Sequence, residues 1–186
     1  MRRSCKNMTL DSTFGSIKDL ARSFRAAFAT YLILITIGTS GCCSGNMKTR
    51  PLMSLALGQT DAIKISSRCK RQSTGLLVSK DQKYSIVANG KDWWVDFFIP
   101  CRASGYMTPW TEWYMRGYEV HKPLPYQPWL ALCGRVGPCP SQAFLVSTNW
   151  CGSPPNDGEL FLFANDATGW YWNNFGLMRV KITRLK

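Results

Sequence analysis

Glu159-Leu-Phe-Leu-Phe-Ala-Asn-Asp-Ala-Thr-Gly-Trp-Tyr-Trp-Asn-Asn-Phe-Gly-Leu-Met-Arg-Val-Lys-Ile182 is the stretch that decides the fold. Leu160 to Phe163, directly after Glu159, is an apolar, aromatic run, and Leu177 to Thr183 alternates apolar with polar. Both patterns predict β-strands. Between them lies a turn rich in oxygen atoms: Asp166 offers a carboxylate, Asn173 and Asn174 offer amide oxygens, and the loop around Gly169 and Gly176 frees backbone carbonyls. Hard oxygen donors of this mixed kind suit Ca²⁺, which accepts about six to eight of them in irregular geometry. The same residues also suit a plain hairpin connection in which Asp and Asn cap their own backbone.

Outward from this stretch the pattern repeats. Gly75 to Val78, Tyr84 to Ala88, Val95 to Ile99, Leu130 to Cys133 and Ala143 to Val146 are further strand candidates. Ser79-Lys80-Asp81, Asn89-Gly90, Gly137-Pro138 and Pro154 to Gly158 punctuate them as turns. No long helical stripe follows residue 72, so the expectation is an all-β fold, an antiparallel sandwich or barrel. Residues 100–129 stand apart. Gly105, Pro109, Gly117, Pro123, Pro125 and Pro128 break them repeatedly, and they carry Tyr106, Trp110, Trp113, Tyr114, Tyr118, Tyr126 and Trp129. A long segment this aromatic is expected to be ordered and functional.

The formal charge of +12 divides unevenly along the 186 residues. Six basic residues face Asp11 and Asp19 in residues 1–25, six face Asp61 in residues 26–71, and eleven face eight acids in residues 72–186. The folded part is nearly balanced, which argues against nucleic-acid binding, since a nucleic-acid domain carries its charge on its own face. Residues 1–41 read instead as a signal peptide or membrane anchor helix, with a basic start followed by an uncharged segment from Ala26 to Gly41. That segment is short for a membrane span, which needs about 20 residues. Thr39-Ser40-Gly41-Cys42 resembles a bacterial lipobox, in which Cys42 is the lipidation site. Export to the cell envelope follows on either reading, with a lipid anchor or a signal anchor holding the chain to the membrane. Residues 42–71 read as a basic tether, and the domain is expected to span residues 72–186. Of eight cysteines, Cys43, Cys69, Cys101, Cys133, Cys139 and Cys151 are left to pair in an oxidising compartment. Zinc is disfavoured, since there is no C-x-x-C pair and His121 is the single histidine.

Three blocks carry a resemblance. Asp166-x-x-Gly169-x-Tyr171-x-Asn173-Asn174-x-Gly176, preceded by Asn165, looks like the calcium loop of the bacterial PA-IL-like galactose-binding lectins. Gly75 to Gly90 resembles that family's first hairpin, and Ser153-Pro154-Pro155 through Gly158 its penultimate turn. The resemblance implies a galactose-binding-like β-sandwich of jelly-roll type, in which a Ca²⁺ ion is completed by two hydroxyls of a galactose-type carbohydrate. It implies side-chain ligands at Asp166, Asn173 and Asn174, and backbone carbonyl ligands at Trp170 and Trp94. Asp166 and Asn173 are implied to touch the sugar as well, with Trp94 as a stacking wall. His121 and Gln127 match the family's specificity histidine and glutamine by residue type alone. A homo-oligomer is compatible with this class, because multivalency offsets weak single-site affinity.

Two other classes are compatible with the residues. In one, Ca²⁺ is only structural and the aromatic segment 100–129 binds a protein partner at the envelope. In the other the chain is a glycosidase, with facing carboxylates from Glu112 and Glu119 or from Asp92 and Asp96. Isolated loop acids and the absence of a G-x-S-x-G elbow speak against an enzyme.

Overall fold

A computed structural model describes residues 50–108, 110–138 and 142–186, and for residues 110–114 the backbone alone. The leader, Cys42 and Cys43 therefore lie outside the described residues, as does Cys139. The strands are β1 (Thr60–Ser66), β2 (Gln72–Val78), β3 (Tyr84–Ala88), β4 (Trp94–Asp96), β5 (Ile99–Cys101), β6 (Leu132–Val136), β7 (Ala143–Leu145), β8 (Asn149–Gly152), β9 (Gly158–Ala164), β10 (Asn174–Phe175) and β11 (Leu177–Arg184). Among the described residues they form two four-stranded sheets, β1-β11-β3-β8 and β2-β9-β6-β7, and a small sheet, β10-β4-β5. Every pair of these strands is antiparallel.

Period-two alternation builds the first sheet. Met178, Val180 and Ile182 of β11 are buried while Leu177, Arg179 and Lys181 face out. The register sets Ile65 opposite Met178 and Ile86 opposite Ile182, so neighbouring strands turn their apolar sides the same way. The second sheet contributes Leu76, Val78, Leu132, Val136, Leu160 and Leu162 to the same contiguous core. One core shared by two antiparallel sheets is a β-sandwich.

Three expectations are corrected here. Residues 42–71 are not tether throughout, because β1 pairs with β11 along its whole length. Its sequence Thr-Asp-Ala-Ile-Lys-Ile-Ser alternates, but its polar half and the basic residues around it mask two inward isoleucines. The packing reaches further back: Leu55 is buried, and Met53 exchanges backbone hydrogen bonds with Gly75 and Leu77 at 2.9 and 2.8 Å. Second, Val95 to Ile99 is not one strand. Asp96 pairs with Ile99 across a two-residue turn at Phe97-Phe98, with Phe97 at φ 53°. Aromatic residues rarely mark such a turn, so the run read as extended. Third, the six cysteines do not all pair: Cys69 is disulfide-bonded, whereas Cys101, Cys133 and Cys151 are free thiols. Cys101 and Cys133 act as small buried apolar side chains.

The segment 100–129 contains a 3₁₀ helix, Trp110–His121, which the broken aromatic pattern did not predict. Its ends are drawn together by Tyr106 and Trp129, whose backbones exchange hydrogen bonds at 2.9 and 2.8 Å.

Candidate functional site

The site forms where β9 runs out of the core. Asn165, wholly buried, accepts from the Leu124 N–H at 3.0 Å and donates to the Leu124 and Pro128 carbonyls, pinning the aromatic segment to the end of the strand. Next in the chain is Asp166, 1% exposed. Its Oδ1 accepts from the Ala167 N–H at 2.7 Å, and its Oδ2 from Asn174 Nδ2 at 2.7 Å. The loop returns through the 3₁₀ turn Tyr171–Asn173, held by the buried Tyr171 hydroxyl, which donates to the Ala164 carbonyl at 2.8 Å. β10 then aligns with β4. Gly176 permits this close passage, since its φ is +102° and a Cβ there would lie 2.5 Å from the Trp93 carbonyl oxygen.

That alignment brings in a residue that the sequence offered only as a partner of Asp92, not as part of this site. Asp96, opposite Asn174 in the register, is buried; its Oδ1 accepts from Asn173 Nδ2 at 3.1 Å and its Oδ2 from the Tyr106 hydroxyl at 2.5 Å. Strand alternation puts Asp96 on the same face as Trp94, which was legible in the sequence, but that this face is the buried one was not. Burial, followed by the charge of Asp96, pushes the Asp166 carboxyl up to about 7, against the hydrogen bond from Asn174. Burial and then Asp96 also push the Tyr106 hydroxyl up, so it stays a donor.

Asn173 and Asn174 each spend their NH₂ group here, Asn174 also donating to the Ser67 carbonyl at 3.2 Å. Their buried side-chain oxygens, Asn173 Oδ1 and Asn174 Oδ1, have no hydrogen-bond partner. A buried amide oxygen left unserved costs about 1–3 kcal/mol, so two together call for an electrophile. The buried Asp166 carboxylate and two unserved amide oxygens are donors of the kind that a hard cation such as Ca²⁺ accepts. Among the described residues no group of three or more His, Cys, Asp or Glu could hold a metal, so this mixed carboxylate and amide set is the candidate.

The other expected residues distribute as follows. Asp166, Asn173 and Asn174 come together. The Trp170 carbonyl accepts from the Asn173 N–H at 3.2 Å, and its exposed ring lies 5.1 Å from that of Tyr118. His121 joins this rim: its carbonyl accepts from the Thr168 N–H at 3.2 Å and its ring is 6.4 Å from Tyr118. The exposed Gln127 lies on the same segment, its carbonyl accepting from Lys122 Nζ at 2.6 Å. Trp94 sits in β4 beside the site, but its ring is wholly buried. The stacking-wall role is therefore corrected: strand alternation turns Trp94 inward and Trp93 outward, where the Arg102 guanidinium lies 3.6 Å from the Trp93 ring. Neither glycosidase pair forms as expected. Glu119 is bound to the buried Lys122 at 2.7 Å, Asp92 is bound to Arg179 at 2.6 Å, and the Glu112 side chain lies outside the described residues.

No protein-family model matches the chain, and no curated protein matches it. Among solved structures it is similar to a chain described as "EclA N-terminal domain; PllA-like lectin", with 19% identity and a TM-score of 0.49. The match covers 66% of this chain and 94% of that one.

Proposed function

We propose that this domain is a calcium-dependent carbohydrate-binding module. The observation that carries the reading is the pair of buried, unpartnered oxygens, Asn173 Oδ1 and Asn174 Oδ1, beside the buried carboxylate of Asp166. These three side chains would hold Ca²⁺, with the Trp170 and Trp94 carbonyls as backbone ligands. The bound ion supplies a fixed positive charge to which sugar hydroxyls can coordinate. The chain's own part is to exclude water from the donors and to present apolar faces beside them. Exposed Trp170 and Tyr118 form one such face, and Phe97 another, since its N–H donates to the Asn173 carbonyl at 3.2 Å. Asn173 is thus bonded through its backbone to two residues with exposed aromatic side chains, Trp170 and Phe97, and such rings suit the apolar face of a pyranose. The galactose-type sugar, with His121 and Gln127 as contacts, rests on the sequence resemblance. Export, an envelope location and a lipid on Cys42 or a signal anchor rest on the leader sequence, and an oligomer on the habit of the class.

One observation favours a second reading. Asp96, Asp166, Asn173 and Asn174 are at most 6% exposed, as suits an ion that staples the fold without meeting a ligand. Segment 100–129 would then contact a protein partner. Calorimetric titration of the full chain with galactose, in Ca²⁺ and again after EDTA, separates the two. Calcium-dependent heat supports the carbohydrate reading, and calcium uptake without response to galactose or other sugars supports the staple.

A further inference from the structure

The arrangement of Asp96 leads beyond the ligand set implied by the sequence. It stands on β4, far in sequence from Asp166, yet it shares the buried face of that strand with Trp94. A carboxylate on an inner strand position is rare unless it is paired or coordinates a metal.

The hydrogen bonds form two matched pairs. Asp166 takes the NH₂ of Asn174, and Asp96 takes the NH₂ of Asn173. An asparagine whose NH₂ is held by a carboxylate has its carbonyl oxygen left over, and both leftover oxygens are buried and unpartnered. The backbone fixes the second pair as firmly as the first, through the Asn174–Asp96 register and the Phe97 N–H to Asn173 carbonyl bond. Tyr106 then donates to the remaining carboxylate oxygen of Asp96 and holds its orientation.

We infer that Asp96 is a fourth side chain of the cation site, supplying its second negative charge and orienting the Asn173 amide so that its oxygen is free for the ion. This rests on the calcium-binding reading above. It makes the site dianionic, matched in charge to a divalent cation, with one carboxylate from strand β4 and one from the loop that follows β9. Calcium affinity follows the charge count of the ligand set.

Asp96→Asn in the full chain tests it, because the substitution keeps shape and removes charge. Two readouts are taken: Ca²⁺ affinity by calorimetry, and melting temperature in EDTA and in Ca²⁺. The expected result is an affinity loss of about tenfold or more, with the melting temperature in EDTA unchanged or raised because like charges no longer face each other. Wild-type affinity in Asp96→Asn, or a melting temperature lowered equally in EDTA and in Ca²⁺, would overturn the inference. Tyr106→Phe removes the hydrogen bond and keeps the charge. Its affinity is expected within about threefold of wild type, and a loss as large as that of Asp96→Asn would also count against the role of charge. Failure of the wild-type chain to bind Ca²⁺ would instead reject the calcium-binding reading itself.

Discussion

Asn174 Nδ2 donates to Asp166 Oδ2 at 2.7 Å, closing the loop that leaves β9 onto the strand that follows it. The amide nitrogen is consumed by that bond and by the Ser67 carbonyl, so the Asn174 oxygen is left buried without a partner. Asp166→Ala removes one carboxylate of the candidate site and the acceptor that holds Asn174. The expected outcome is loss of Ca²⁺ binding and, with it, of galactose binding, measured by calorimetry on the same samples.

Metal removal should be visible in stability. A ligand that binds only the folded state at about one hundred times its dissociation constant stabilises by about 2.7 kcal/mol. Melting of the wild-type chain is therefore expected to shift upward with Ca²⁺ and to return on addition of EDTA, with Mg²⁺ a weaker substitute because it demands tighter octahedral geometry.

The rim should affect sugar and not metal. Trp170→Ala removes an exposed ring while leaving its backbone carbonyl in place, and His121→Ala acts likewise. Each is expected to weaken galactose binding by about 1 kcal/mol or more, with Ca²⁺ affinity and melting temperature nearly unchanged. Calorimetry with each ligand in turn checks this.

Gly176→Ala should be costly without touching a donor. At φ +102°, with the Trp93 carbonyl 2.5 Å from the added Cβ, the backbone must shift. A loss of about 1–3 kcal/mol is expected from denaturant melts, together with weaker Ca²⁺ binding because β10 no longer lies against β4.

Thiol labelling tests the cysteine assignment. Burial, followed by the charge of Asp96, pushes the Cys101 thiol up to about 12, and burial pushes Cys133 up as well. Of Cys101, Cys133 and Cys151, only the exposed Cys151 is expected to react with a thiol reagent in the native state, the other two reacting after unfolding.

The parts of the fold and site that are contiguous in sequence were legible there. Met178, Val180 and Ile182 declare β11 by alternation, and Asp166, Asn173 and Asn174 lie within one short loop whose oxygen content is evident from residue types. The parts that depend on distant partners were not. β1 shows only Ile63 and Ile65 as apolar core residues and becomes a strand through pairing with β11 at the far end of the chain. The Phe97 turn lacks the Gly, Asn or Asp that announces such turns. Asp96 reads only as a candidate partner of Asp92 until the β4 and β10 register brings it to Asn173, and Trp94 could not be turned inward without knowing which face of β4 meets the core.

The most direct test is a calorimetric titration of Ca²⁺ into the full wild-type chain, previously stripped with EDTA, beside the same titration of Asp166→Ala. One saturable site in the wild type that disappears in the variant is the predicted result. Absence of calcium heat in the folded wild type, or equal binding in the variant, would contradict the assignment of Asp166, Asn173 and Asn174 as a calcium site.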